Sequence, residues 1–100
     1  MPVSVVLLVR GEITYGKWSD FLVAVRRYRD YRRKNGYVVQ ELLLGMSGPM
    51  NTALLVYRYS DAKVFEDEDL ALDQDSDYQK VASAMPYIEG TIHYELFREV

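Results

Sequence analysis

Apolar positions along the chain follow two alternating periods. Val3 to Arg10 (VSVVLLVR) is a short aliphatic and β-branched run closed by Gly11, and it predicts a strand buried on both sides. From Lys17 to Lys34 the residues Trp18, Phe21, Leu22, Val25 and Tyr28, extending to Tyr31, recur every three or four positions. That is the period of one helix face, and Asn35-Gly36 supplies its stop signal. Two further strand-like runs, Tyr37 to Leu44 and Asn51 to Tyr59, flank GMSGPM, whose glycines and proline suit the turn of an antiparallel hairpin. Ser60 or Asp61 can cap a second helical region. This region is predicted in two pieces, because Ser76 and Gln79 form a capping box ahead of Tyr78, Val81, Ala82 and Met85, and Pro86 then ends the helix. Gly90 precedes TIHYELFRE, an alternating final strand.

The order β-α-β-β-α-β is that of an α+β, ferredoxin-like domain, a four-stranded antiparallel sheet with its helices on one face. One hundred residues suffice for a single such domain, 1–100, with one modest core. The strands are apolar at both parities. Val5, Leu7, Val39, Leu43, Leu55 and Phe97 form one set, and Val6, Leu8, Leu42, Leu44, Leu54, Val56 and Leu96 the other. Helices cover only one sheet face, so the second is expected to close against another copy of the chain, giving a homodimer joined sheet to sheet.

Composition narrows the chemistry. Hydrophobic residues at 49% and charged residues at 27% belong to a folded chain. The absence of cysteine excludes disulfides, thiolate catalysis and thiolate metal ligation, and is compatible with a reducing cytoplasm. No apolar run approaches the roughly 20 residues that span a bilayer, and the N-terminal MPVSVVLLVRGE lacks a signal-peptide pattern. A soluble, unprocessed, cytoplasmic chain with no membrane partner is expected.

The net charge is -3, yet six of the 12 Lys and Arg residues lie in RRYRDYRRKNG, residues 26–36. Arg26, Arg29 and Arg33 are spaced along one helix side, with Arg27, Arg32 and Lys34 beside them, and all fall off the apolar stripe; they read as a solvent-side ridge. Residues 61–77 hold eight acids and one lysine. The ridge is therefore expected to face this acidic neighbour, in the same or a partner subunit, and not a nucleic acid, which would want an uncompensated basic surface. The first strand also lacks an aromatic residue on which a base could stack.

DQDSDYQKVASA begins like a calcium loop, with Asp73, Asp75 and Asp77 alternating, but Tyr78 and Ala84 stand where that loop needs Gly and Glu. It reads as a solvated acidic linker. GMSGP is no nucleophile elbow, which leaves Ser47 as a turn residue. With one histidine and no cysteine, no residues cluster at metal-ligand spacing. Neither a metal nor a cofactor is expected. The candidate site residues are polar side chains on strands: His93, Glu95, Glu41, Tyr57 and Tyr59 share odd numbering and would project from one sheet face in the absence of a bulge. Trp18 and Tyr28 on the helix stripe would supply the wall of a pocket there. Nine tyrosines suit an aromatic pocket with hydroxyls for a planar organic ligand.

In topology, over essentially its whole length, the chain resembles the dimeric α/β-barrel superfamily and within it the NIPSNAP-like branch. The residues that carry the resemblance are Arg10, Gly36 and above all GPMNTALLVYRYSD, where a glycine turn leads to Asn51, an apolar run, Arg58-Tyr59 and Asp61. Leu55 and Tyr57 stand where that branch often has His and Trp. The resemblance implies a pocket between sheet and helices, and relatives that include cofactor-independent oxygenases, aromatic polyketide cyclases, haem-degrading enzymes and members with no assigned activity. The function expected is an oxygenase or cyclase acting on a hydrophobic or aromatic carbonyl compound. His93 or Glu95 would act as general base, Tyr57 with Asn51 would orient or polarise a substrate oxygen, and Glu41 would add polarity to the pocket. The alternative is a non-catalytic ligand-binding or dimerisation module in which His93 and the tyrosines pack.

Overall fold

A computed structural model of the protein describes residues 4–46 and 50–100, so Val3 and the turn residues Ser47, Gly48 and Pro49 lie outside the described residues. The first strand, β1 (Val5–Glu12), runs through Gly11 and does not stop there. A close approach explains the glycine: a Cβ at that position would lie 2.5 Å from the Tyr87 ring, which packs directly on the strand backbone. Helix α1 (Trp18–Lys34) follows, burying Phe21, Ala24, Val25 and Tyr28 as its periodicity requires. Gly36, at φ +75°, turns the chain away from its end.

The second strand, β2, is confined to Glu41–Leu44, starting later than the pattern suggests. Side chains take over the backbone groups that a longer strand would pair. The Val38 N–H donates to Glu68 Oε1 at 2.7 Å and its carbonyl accepts from Arg32 Nε. Strand β3 (Thr52–Tyr59) pairs with β2 and β1, and the last strand, β4 (His93–Arg98), pairs with β1, giving the antiparallel order β2-β3-β1-β4. This is the expected α+β ferredoxin-like sheet with helices on one side. The second helical region is split as predicted, into α2 (Ala62–Asp73) and α3 (Ser76–Ser83). Asp61 caps α2 by accepting from the Val64 N–H at 2.9 Å. Asp75, and not the Ser76 of the expected capping box, caps α3 through the Tyr78 N–H, while the Gln79 side chain turns to the Asp73 carbonyl.

Register decides which side chains share a face. Val5, Leu7 and Val9 pair with Tyr59, Tyr57 and Leu55, so odd residues of β1 and β3 lie together under the helices. On the flanking strands the parity inverts: Leu42 pairs with Leu55, while Leu96 pairs with Leu7 and Tyr94 with Val9. The expected division of the apolar residues is corrected accordingly, since Leu43 and Phe97 belong to the face away from the helices. That face also carries Val6, Leu8, Leu54 and Val56, and it leaves Leu43 53% and Phe97 46% exposed. Among the described residues no helix is long and apolar enough to cross a membrane.

Candidate functional site

The helix side of the sheet is incompletely filled. Helices α2 and α3 contribute no fully buried residue, and β4 is exposed along its length, so a half-open cavity of ≈ 580 Å³ lies between these elements and β1. Its apolar wall includes Leu7, Leu55, Phe65, Met85, Ile92 and Leu96. Its polar end is built on the α1 stripe, which continues beyond Tyr28 to Arg32, four residues later on the same helix side.

Arg32 is only 1% exposed and is the centre of this polar end. Its Nη2 meets Glu68 Oε2 at 2.6 Å, and Glu68 also accepts from the Tyr59 hydroxyl and the Val38 N–H. Arg32 Nη1 reaches the hydroxyls of Tyr28 and Tyr78, each at 3.4 Å. The guanidinium carbon lies 4.8 Å from the Tyr57 ring centroid and 5.6, 5.7 and 5.8 Å from those of Tyr28, Tyr37 and Tyr78. A buried cation is thus balanced by one carboxylate, by hydroxyl oxygens and by ring faces, as a desolvated guanidinium requires. The hydroxyls themselves are linked: Tyr28 to Tyr57 at 2.7 Å and Tyr28 to Tyr78 at 2.8 Å.

Tyr57, Tyr59, Tyr78 and Arg32 each keep one ionisation state near neutrality. Burial raises the Tyr57 pKa well above its ordinary value, with the Tyr28 oxygen adding to the shift. Burial raises Tyr59, aided by its bond to Glu68, and raises Tyr78, aided by Tyr28. Burial alone would lower Arg32, but the facing Tyr28 oxygen and Glu68 carboxylate outweigh it and the net shift is upward. Tyr57, Tyr59 and Tyr78 are therefore hydrogen-bond donors here and not bases. Outside the cavity, Asp75 gathers the hydroxyls of Tyr31 (2.7 Å) and Tyr37 (3.0 Å) and fixes the start of α3 against α1.

The structure divides the residues singled out from sequence. Tyr28, Tyr57 and Tyr59 line the cavity together. His93, Glu95 and Glu41 do not: His93 pairs with Arg10, Glu95 with Leu8 and Glu41 with Val56, all on the opposite sheet face. The expected common face is corrected by the parity inversion between neighbouring strands. Glu41 there bonds to Arg58 at 2.9 Å in an exposed pair. Asn51 is buried, but its amide nitrogen donates to the Ile13 carbonyl at 3.0 Å, a backbone clamp outside the cavity wall. Trp18 packs edge-on against Phe21, with ring centroids 5.8 Å apart, and also lies outside the wall.

The solvent ridge needs correction too. Arg32 is its buried member, and Arg32–Glu68 joins the basic and acidic helices, whereas Arg33–Asp30 and Lys63–Asp67 are pairs within one helix. The sequence did carry a signal for these residues. Arg32 falls seven after Val25, and Glu68 lies between Phe65 and Leu72 at helical spacing.

No family model matches the chain, and no curated protein matches it in sequence. Solved structures do. An uncharacterized NIPSNAP domain protein from Burkholderia xenovorans superposes with a TM-score of 0.72 at 22% identity, covering 96% of this chain and 92% of that one. A NIPSNAP family protein from Agrobacterium tumefaciens gives 0.76 at 13% identity, covering 100% and 89%. The chain has the ferredoxin-like fold of the NIPSNAP proteins. The same fold relates it to a putative antibiotic biosynthesis monooxygenase from Bordetella bronchiseptica, with a TM-score of 0.75, 16% identity and 98% coverage of both chains. At these identities the likeness is one of fold, and activity has to be argued from the site.

Proposed function

We propose that this protein binds a small hydrophobic or aromatic molecule in the cavity between its helices and sheet, with an oxygen of the ligand at the tyrosine end. The cavity itself carries the reading. Its ≈ 580 Å³ falls in the range of about 300–1,000 Å³ typical of small-molecule sites, and it combines an aliphatic wall with a few convergent polar groups. Arg32 is already matched by Glu68, so the polar end offers hydroxyls and not a free cation.

A second reading is a cofactor-independent oxygenase or cyclase acting on a hydrophobic or aromatic carbonyl compound. It is favoured by protonated hydroxyls fixed beside Arg32, a suitable arrangement for charge developing on a substrate oxygen. The base cannot then be His93 or Glu95 of the same subunit. Asp69 and Asp73, on the cavity side of α2, are the carboxylates left for that role, because Glu68 is committed to Arg32, Tyr59 and Val38. We also propose a homodimer closed through the helix-free sheet face, where Leu43 and Phe97 are exposed.

Ligand-observed NMR with aromatic ketones tests the binding reading. Ala82 lines the cavity, and in Ala82→Phe a ring projects into that space. Saturation transfer to the ketones is expected in the natural protein and is lost in the variant. Transfer that persists in Ala82→Phe, or is absent from both proteins, would show that the cavity is not a binding site.

A further inference from the structure

The hydroxyls of Tyr28, Tyr57 and Tyr78 carry three protons between them, one each. Their two oxygen–oxygen contacts, at 2.7 Å and 2.8 Å, use two of those protons. The position of the third follows from the lone pairs. Tyr28 stands in both contacts and also accepts from Arg32 Nη1. Accepting from both tyrosines and from Arg32 would need three lone pairs where a phenolic oxygen has two, so Tyr28 accepts from one tyrosine and donates to the other. The surplus proton then belongs to Tyr57 or to Tyr78.

Burial separates the two cases. Tyr57 is 2% exposed and, among the described residues, its hydroxyl meets no partner other than Tyr28. A proton left there would be a buried, unsatisfied donor, which is the costly arrangement. Tyr78 is half-buried in the cavity wall, and it accepts from Arg32 Nη1 as well as facing Tyr28. If Tyr57 donates to Tyr28 and Tyr28 donates to Tyr78, both Tyr78 lone pairs are filled and only its proton is free. Arg32, pointing donors at Tyr28 and Tyr78 together, excludes Tyr28 as a double acceptor from the two tyrosines, and the burial of Tyr57 selects this direction.

We propose that Tyr78 on α3 is the specificity-determining residue of the cavity, donating its hydroxyl proton to a neutral acceptor oxygen of the ligand, such as a ketone carbonyl. A ligand group that is only a donor finds no acceptor at this position. This inference rests on the ligand-binding reading above.

The test uses the full chain with 1-indanone and with indane, its analogue lacking the carbonyl. Indanone should bind with its C=O stretch shifted to lower frequency. Tyr78→Phe should weaken indanone binding roughly three- to tenfold, the worth of one neutral hydrogen bond, and abolish the shift while leaving indane affinity unchanged. A cooperative thermal unfolding transition confirms that the variant is folded. An unchanged indanone affinity and stretch in Tyr78→Phe would overturn the assignment and leave the binding reading standing. Loss of the shift in Tyr57→Phe but not in Tyr78→Phe would also overturn it, by placing the proton on Tyr57. Failure of both compounds to bind the natural protein would remove the binding reading and the assignment together.

Discussion

Replacing Glu68 by Ala should be among the most damaging single changes available in this fold. The side chains of Arg32 and Glu68 are 1% and 8% exposed, and their closest atoms are 2.6 Å apart. Removing the carboxylate leaves a guanidinium that water cannot reach, and it also strips the Val38 N–H and the Tyr59 hydroxyl of their acceptor. Breaking one side of such a buried pair costs about 3–5 kcal/mol. A domain of this size has about 5–15 kcal/mol of total stability, so the variant should lose a large part of it. At ~4–8 °C per kcal/mol for small domains, even the lower figure lowers Tm by about 12–24 °C. Urea unfolding followed by far-UV circular dichroism measures the loss as a drop in midpoint at unchanged slope. Arg32→Met combined with Glu68→Leu should recover much of the loss, because that pair removes the stranded charge and the desolvation cost together. A Glu68→Ala loss no larger than that of removing the exposed Arg58–Glu41 contact would refute the claim that the pair is desolvated.

Two further outcomes are expected. The Tyr78 N–H and the Tyr31 hydroxyl hold the Asp75 pKa below its ordinary 3.8, so Asp75 stabilises the fold above that value and ceases to do so as pH falls through its lower native value. The stability difference between the natural protein and Asp75→Asn should therefore be constant from about pH 7 to 5 and shrink below about pH 4; a pH-independent difference in urea titrations would contradict this. Sedimentation at micromolar concentration should show a homodimer burying more than roughly 2,000 Å² in total. A single species near 11.6 kDa would exclude the proposed sheet-to-sheet contact.

Most elements were legible because local pattern and tertiary environment agree in them. The α1 stripe from Phe21 to Tyr28 is apolar at helical spacing and buried as such, and the break between α2 and α3 follows from turn and cap chemistry around Asp75. The start of β2 was not legible, because it depends on two side chains remote in sequence, Arg32 and Glu68, taking the Val38 backbone out of the ladder. Faces were misassigned for a related reason. Odd numbering unites β1 with β3 because Val9 meets Leu55, but the connection into β4 sets Arg10 against His93 and reverses the parity. Counting residues along one strand cannot fix that offset. Tyr57 and Tyr59 were therefore found on the cavity side, while His93, Glu95 and Glu41 were not.

Arg32 was hidden by its surroundings in sequence. Six basic residues in one short run read as a solvated face, and the charge alone gives no reason to separate one from the others. Its position does, because it extends the Phe21, Val25, Tyr28 series by one more turn, where an arginine can be buried only if the fold brings it a carboxylate and acceptors. The acidic segment supplies the carboxylate from Glu68, and the tyrosines supply the acceptors. Meeting that demand positions α2, ends the chain's freedom before β2 and gathers three hydroxyls whose order the burial of Tyr57 then fixes, so the polar end of the cavity is set before any ligand arrives. A preset donor costs little reorganisation on binding, which favours recognition of an acceptor oxygen at this end over a role for these tyrosines as packing residues alone.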